Sequence, residues 1–275
     1  GFIGYLDGST ITVESCNLLE GSTVTDGSSV TETVVSSIGG FFGWAGASDK
    51  VDVKNTSASV AVNAPYARNV GGFIGVIGKG TFKTSGVNVS GSVKASENAG
   101  GFLGYQENGV VDFSSTSTSA TVNSGNYSGG FLGRVNTTAT LTDCVSTGDV
   151  TVVSSVGAFA AWFAKASTVT LTRCSATGSI SAKTNVGGVV GIVEDEATGN
   201  FTMTDCSYTG KTLVSTGGAC GGLVGYLNGN WTIDGCKVET DITSAANVGG
   251  LVGSVVSTGT TSLVMTDSYY SGALK

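Results

Sequence analysis

Gly221-Gly222-Leu223-Val224-Gly225, followed shortly by Trp231-Thr232-Ile233-Asp234-Gly235-Cys236, is one copy of a unit that fills the chain. Its first phrase is two glycines, a large apolar residue, a second apolar residue and a glycine. The phrase recurs at 39–43, 71–75, 100–104, 129–133, 187–191 and 249–253. It is entered one residue late at Gly1-Phe2-Ile3-Gly4 and varied at Gly157-Ala158-Phe159-Ala160-Ala161. The large apolar residue falls at 2, 41, 73, 102, 131, 159, 189, 223 and 251, so the steps are 39, 32, 29, 29, 28, 30, 34 and 28 residues. A period near 30 in a chain of 275 residues with 44 glycines and one proline marks a solenoid or a propeller.

A second phrase sets the register: apolar, x, apolar or Thr, two residues, then a small residue. It reads Ile11/Val13/Cys16, Val51/Val53/Thr56, Phe82/Thr84/Val87, Val111/Phe113/Thr116 and Ala139/Leu141/Cys144, then Val169/Leu171/Cys174, Phe201/Met203/Cys206, Trp231/Ile233/Cys236 and Leu263/Met265/Ser268. Alternation at period two is a strand with one buried face. The step of three to the small residue predicts a bend, after which alternation resumes. Each repeat thus offers about three short strands. A propeller blade needs four antiparallel strands and usually more residues, and recurrent hairpin signals are missing. The expected fold is a right-handed parallel β-solenoid of about nine coils, with like residues stacked about 4.8 Å apart. It forms one domain over 1–275 and reads as a segment of a longer array. Val87, Thr116, Cys144, Cys174, Cys206 and Cys236 should share one buried line, and Leu141, Leu171, Met203 and Ile233 another.

Among the glycines, the first of each pair is never replaced, which suggests a left-handed corner there. Ala158 and Ala161 show that the other two columns ask only for a small side chain. The Phe column and the apolar column after it are both apolar in every coil, so either could face inward.

The net charge of −7 excludes the basic face that nucleic-acid binding needs. No apolar run is long enough to span a membrane. Gly-Gly-Leu-Val-Gly followed by Thr-Ile-x-x-Cys-x-x-x-Gly-x-Val resembles the GLUG repeat, most closely at 221–225 with 231–242 and at 187–191 with 201–210. That resemblance, which spans the chain and is strongest from about residue 139, implies an extracellular stalk or adhesin-like surface module. It carries no catalytic residues.

Five of the six cysteines (Cys16, Cys144, Cys174, Cys206 and Cys236) fall in one column. Zinc is disfavoured: the chain has no His and no Cys-x-x-Cys, and a linear stack supplies no tetrahedron. Bridges between adjacent coils fit the Cα spacing, but in-register Cβ vectors sit slightly too far apart. The column reads as a small, buried position with free thiols; Cys220 fills a column with Val70, Ala99, Val186 and Val248.

Without His, no Ser-His-Asp or Cys-His site can form. The carboxylates placed to act in pairs on a glycoside are Glu194-Asp195-Glu196 and Glu239 with Asp241; the first group has the ligand type for Ca²⁺ but reads better as a solvated loop. No catalytic residue, cofactor or metal is expected. One outward array stands out: Thr140/Thr142, Thr170/Thr172, Thr202/Thr204 and Thr232/Asp234, a flat Thr ladder similar to those of ice-binding proteins. Thr is also a favoured strand residue that solvates such faces. The ladder breaks at Asp52/Lys54, Lys83 and Asp112. Sequons at Asn55, Asn88, Asn126, Asn136, Asn200 and Asn230 suit a surface protein but barely exceed chance.

The expected function is a non-catalytic, extracellular or cell-surface structural or adhesive module. Alternatives are a flat-face binder of ice or carbohydrate and, less favoured, a polysaccharide-active enzyme. Expected partners are further coils, continued covalently or stacked head-to-tail from another copy, and surface glycans or host proteins, because a terminal rung leaves N–H and C=O groups unpaired.

Overall fold

The structure is a computed structural model that describes residues 1–27, 34–164, 166–256 and 261–275. It is a parallel β-solenoid of about eight turns, counted between the nine Gly phrases, and every strand pairing among the described residues is parallel. One sheet carries the Gly phrase and the apolar-x-apolar phrase. In the early coils these form single long strands, Ile3–Glu14, Phe42–Lys54 and Ile74–Ser85. From Leu103–Gln106 and Val110–Ser114 onward they separate. The second sheet collects the rest of each coil.

The part after the small residue is more broken than one strand. It divides into Val145–Ser146 and Val150–Gly157 in one coil, and into Ser175–Ala176, Ile180–Ala182 and Val186–Gly187 in the next. Breaks fall at Gly148 and Gly178, where a Cβ would meet the neighbouring coil's carbonyl oxygens.

The expected register holds. Leu141, Leu171, Met203 and Ile233 are successive partners and fully buried. Val87, Thr116 and the four later cysteines of their column are equally buried. Even the long first coils keep it, with Ile11 on Val51 and Val51 on Phe82. Small shifts near Gly8 and Gly46 restore that pairing, and further shifts between Leu18 and Ser22 and between Val35 and Ile38 mark where the second sheet takes up extra residues.

Both apolar residues of the Gly phrase point inward: Phe73 and Ile74, Phe102 and Leu103, Phe131 and Leu132 are each wholly buried. The chain bends at the glycine pair, so two consecutive side chains reach the core. Phe41, Phe73, Phe102, Phe131 and Phe159 form a continuous ring stack, with centroids 4.9, 5.1, 4.9 and 4.9 Å apart. Such ring pairs add about 0.5–1.5 kcal/mol beyond their burial.

The left-handed corner is not at the first glycine of the pair. It lies directly before the small-residue column, at Ser15, Asn55, Gly86, Ser115, Asp143, Arg173, Asp205, Gly235 and Asp267, all with φ between 45° and 66°. Asn, Asp and Ser tolerate that backbone because their short polar side chains bond locally. Arg173 is the exception, held by a two-pronged pair with Asp143 (Nε to Oδ1 2.7 Å, Nη2 to Oδ2 2.9 Å). The first glycine is required for another reason: a Cβ on Gly71, Gly100 or Gly187 would fall on the carbonyl oxygen three residues later. At the second glycine the obstacle is the next coil's carbonyl, which Ala158 shows can be accommodated.

Candidate functional site

The expected Thr ladder assembles. Thr140 pairs with Thr170, Thr170 with Thr202 and Thr202 with Thr232; in parallel run Thr142, Thr172, Thr204 and Asp234. All face outward and are exposed or half-buried. The structure adds a third column, Thr138, Thr168, Asn200, Asn230 and Ser262, which precedes the apolar pair. In the early coils charged pairs continue the columns. Lys50 and Lys54 lie 2.8 and 3.4 Å from Asp52, and Lys83 bonds Asp112. Hydrogen bonding to Lys50 is the main cause holding the Asp52 carboxyl below its usual range.

The cysteine column has a chemical rule beyond size. The Sγ atoms of Cys144, Cys174, Cys206 and Cys236 each donate to the carbonyl two residues earlier, at 3.5, 3.6, 3.4 and 3.3 Å. The hydroxyls of Thr56, Thr116 and Ser268 do the same at 2.8, 2.9 and 2.8 Å. That carbonyl already accepts the backbone N–H of the adjacent coil's corner residue, as Thr142 does from Ser115 and Thr172 from Asp143, both at 3.0 Å, so the side chain fills its second lone pair. Val87 is the apolar member. All six thiols are free, five of them buried. Burial pushes the Cys220 thiol up to about 12.

Glu239 and Asp241 are tied to neighbours. Glu239 accepts from the Tyr269 hydroxyl at 2.7 Å, and Asp241 pairs with Lys275 at 2.6 Å. Among the described residues, no three His, Cys, Asp or Glu side chains converge on a point that could hold a metal ion. Of the sequon residues, Asn55, Asn88 and Asn200 are exposed, whereas Asn126, Asn136 and Asn230 are half-buried. The Asn136 amide is engaged, accepting from Arg134 Nε at 2.9 Å and donating to the Tyr105 hydroxyl at 2.7 Å.

A stripe that sequence reasoning missed runs along the Gly strands, three residues after each Phe position. Tyr5, Trp44, Val76, Tyr105, Arg134, Trp162, Ile192, Tyr226 and Ser254 are register partners in succession. Tyr5 stacks on Trp44 at 4.7 Å, and the Arg134 guanidinium lies 4.1 Å from the Trp162 ring centroid and 5.8 Å from that of Tyr105. Counting columns from the Phe position would have revealed it.

Beside the stripe, a groove of about 630 Å³ opens between the 194–199 loop and the coil corner. Tyr127 and Trp162 meet in it with centroids 4.3 Å apart; the lining also includes Ser154, Thr184, Asn185, Ile192 and the acidic triplet 194–196. Ser154 and Thr184 hydroxyls lie 2.9 Å apart. Tyr226 donates to Asp195 Oδ1 at 2.7 Å, and burial, with that carboxylate, raises the phenol to about 12.

The architecture and its surfaces define a β-solenoid repeat protein. No family model, curated protein or solved structure matches the chain.

Proposed function

We propose that this chain is a non-catalytic structural or adhesive module of an extracellular or cell-surface protein. The observation that carries the reading is the stack itself: about eight turns of parallel rungs around a continuous apolar core. Such a body is a stiff rod, roughly 40 Å long at the coil rise. Resemblance of the repeat to GLUG units supports a surface setting, and the acidic balance agrees with it. Among the described strands, Ile3–Glu14 pairs only with Phe42–Lys54, and Ser262–Thr266 only with Asn230–Asp234. Each terminal rung therefore has an edge that further coils or a second copy would cover. Stacking of that kind is heterologous and does not close. Light scattering with electron microscopy tests it: concentration-dependent rods are expected, and a monomer that persists at high concentration refutes self-stacking.

A second reading is favoured by the in-register Thr grid, whose columns stand one coil rise apart and whose rows are two strand residues apart. That face would bind ice or carbohydrate. Thermal hysteresis in the wild type, abolished by Thr170→Lys with Thr202→Lys, would support ice binding; its absence would remove that reading.

A further inference from the structure

We propose that the groove at Tyr127 and Trp162 binds a pyranose unit of a neutral or amino-bearing glycan. This site is separate from the Thr ladder, and it does not rest on the stalk reading.

The first observation is a local exception in the fold. Two residues before the first glycine, the chain turns through a left-handed residue in five coils: Asn69, Asn98, Tyr127, Ser155 and Asn185. Three of these are Asn, and Asn98 Nδ2 donates to Asn69 Oδ1 at 2.9 Å, so an amide suits the corner and its neighbour. A bulky aromatic residue in that conformation is unusual and strained. Tyr127 at φ 49° takes a corner that three other coils give to Asn. What its ring does is wall a groove with Trp162.

Second, the Trp162 indole N–H is buried without a hydrogen-bond partner among the described residues. A buried unsatisfied donor calls for an acceptor, and a small rotation of the indole toward the groove would let a ligand oxygen provide one.

Third, the lining is amphipathic in the sense a sugar requires. Tyr127, tilted against Trp162, and the indole edge that Arg134 leaves uncovered offer apolar surface to the C–H face of a pyranose ring. Ser154, Thr184 and Asn185 offer donors and acceptors to its hydroxyls, and Asp195 offers an acceptor. The groove volume of about 630 Å³ lies inside the range of small-ligand sites. Asp195 in its wall, whose carboxylate accepts from the neutral Tyr226 hydroxyl, disfavours uronates and sulfated sugars by like-charge repulsion. A peptide with a basic side chain would leave the hydroxyl row unused.

The test is a glycan microarray carrying neutral, amino and acidic saccharides, probed with the labelled chain and three variants. Tyr127→Asn installs the residue the corner otherwise prefers, so it should melt no lower than the wild type. The expected result is retention on neutral or amino saccharides, with apparent affinity reduced at least tenfold in Tyr127→Asn and in Trp162→Leu. The double variant Thr170→Lys with Thr202→Lys should bind unchanged. Any soluble saccharide retained should also alter tryptophan emission in the wild type and not in Trp162→Leu. The proposal is overturned if no saccharide is retained, if the retained ones are acidic, if Tyr127→Asn binds as the wild type does, or if the Thr variant alone loses binding.

Discussion

At the scale of single residues, the molecule depends on columns, and a column is only as tolerant as its tightest neighbour. Leu171 is buried between Leu141 and Met203, whereas Thr170, its neighbour in sequence, faces outward. Leu171→Ala should cost about 2–5 kcal/mol, because collapse around the cavity is limited by the rungs on either side. Thr170→Ala should stay within about 0.5 kcal/mol. Urea unfolding of both variants checks the register, and equal costs would sink it. Cys220 makes a second prediction. Its folded thiol is raised by burial from an ordinary value near 9 to about 12. A raised folded value means the protonated form is favoured by folding. That share of stability is complete below about pH 9 and is lost as pH rises toward 12. Its neighbours in the column are Val186 and Val248, so Cys220→Val should fold and show a shallower loss of stability over that window. An unchanged alkaline profile in the variant would refute the assignment to Cys220.

At the scale of elements, what was legible was whatever repeats with the coil. The period, the parallel strands, the alternating buried positions of 139–141 or 231–233 and the bend after them could all be read by aligning phrases. What escaped were features set by contacts across the bend. The invariant first glycine looked like a left-handed corner, since a glycine that is never replaced ordinarily signals backbone freedom. It is instead a place where the chain's own carbonyl occupies the Cβ position. The real corners carry Asn, Asp, Ser and even Arg173, a mixture with no single letter to mark it. The outward stripe through Tyr105, Arg134 and Trp162 escaped because its column holds aromatic, basic and aliphatic residues alike. Its chemistry appears only once the coils are stacked. The groove needs a loop from one coil and a corner from the coils beside it, a juxtaposition that no linear motif encodes. A graded prediction follows from the glycine columns. Gly100→Ala should cost more than about 4 kcal/mol or prevent folding, because its Cβ would lie 2.1 Å from the Leu103 carbonyl oxygen of the same turn. Gly104→Ala should cost distinctly less, since Ala161 occupies the equivalent place. Thermal melts that rank the two in the opposite order would contradict this account.

At the scale of the whole molecule, the two kinds of surface divide the labour. The Thr and charged columns keep one flat face hydrated along much of the rod, while the aromatic stripe and its groove interrupt that uniformity where the coils carry residues the fold itself does not need. A rod that is repetitive in its core and individual in its outward columns can change what it touches without changing how it stands. The strict nearest-neighbour pairing of the rungs has one more consequence. Each coil is joined to the rest only through the coils directly above and below it. Tension applied at the two termini therefore never loads all the backbone bonds together. It strips the outermost coil first, one bond after another, and releases about 100 Å of slack chain for each coil of some 30 residues. A tether of this construction yields in instalments, absorbing a sudden pull as extension while the remaining coils keep their shape.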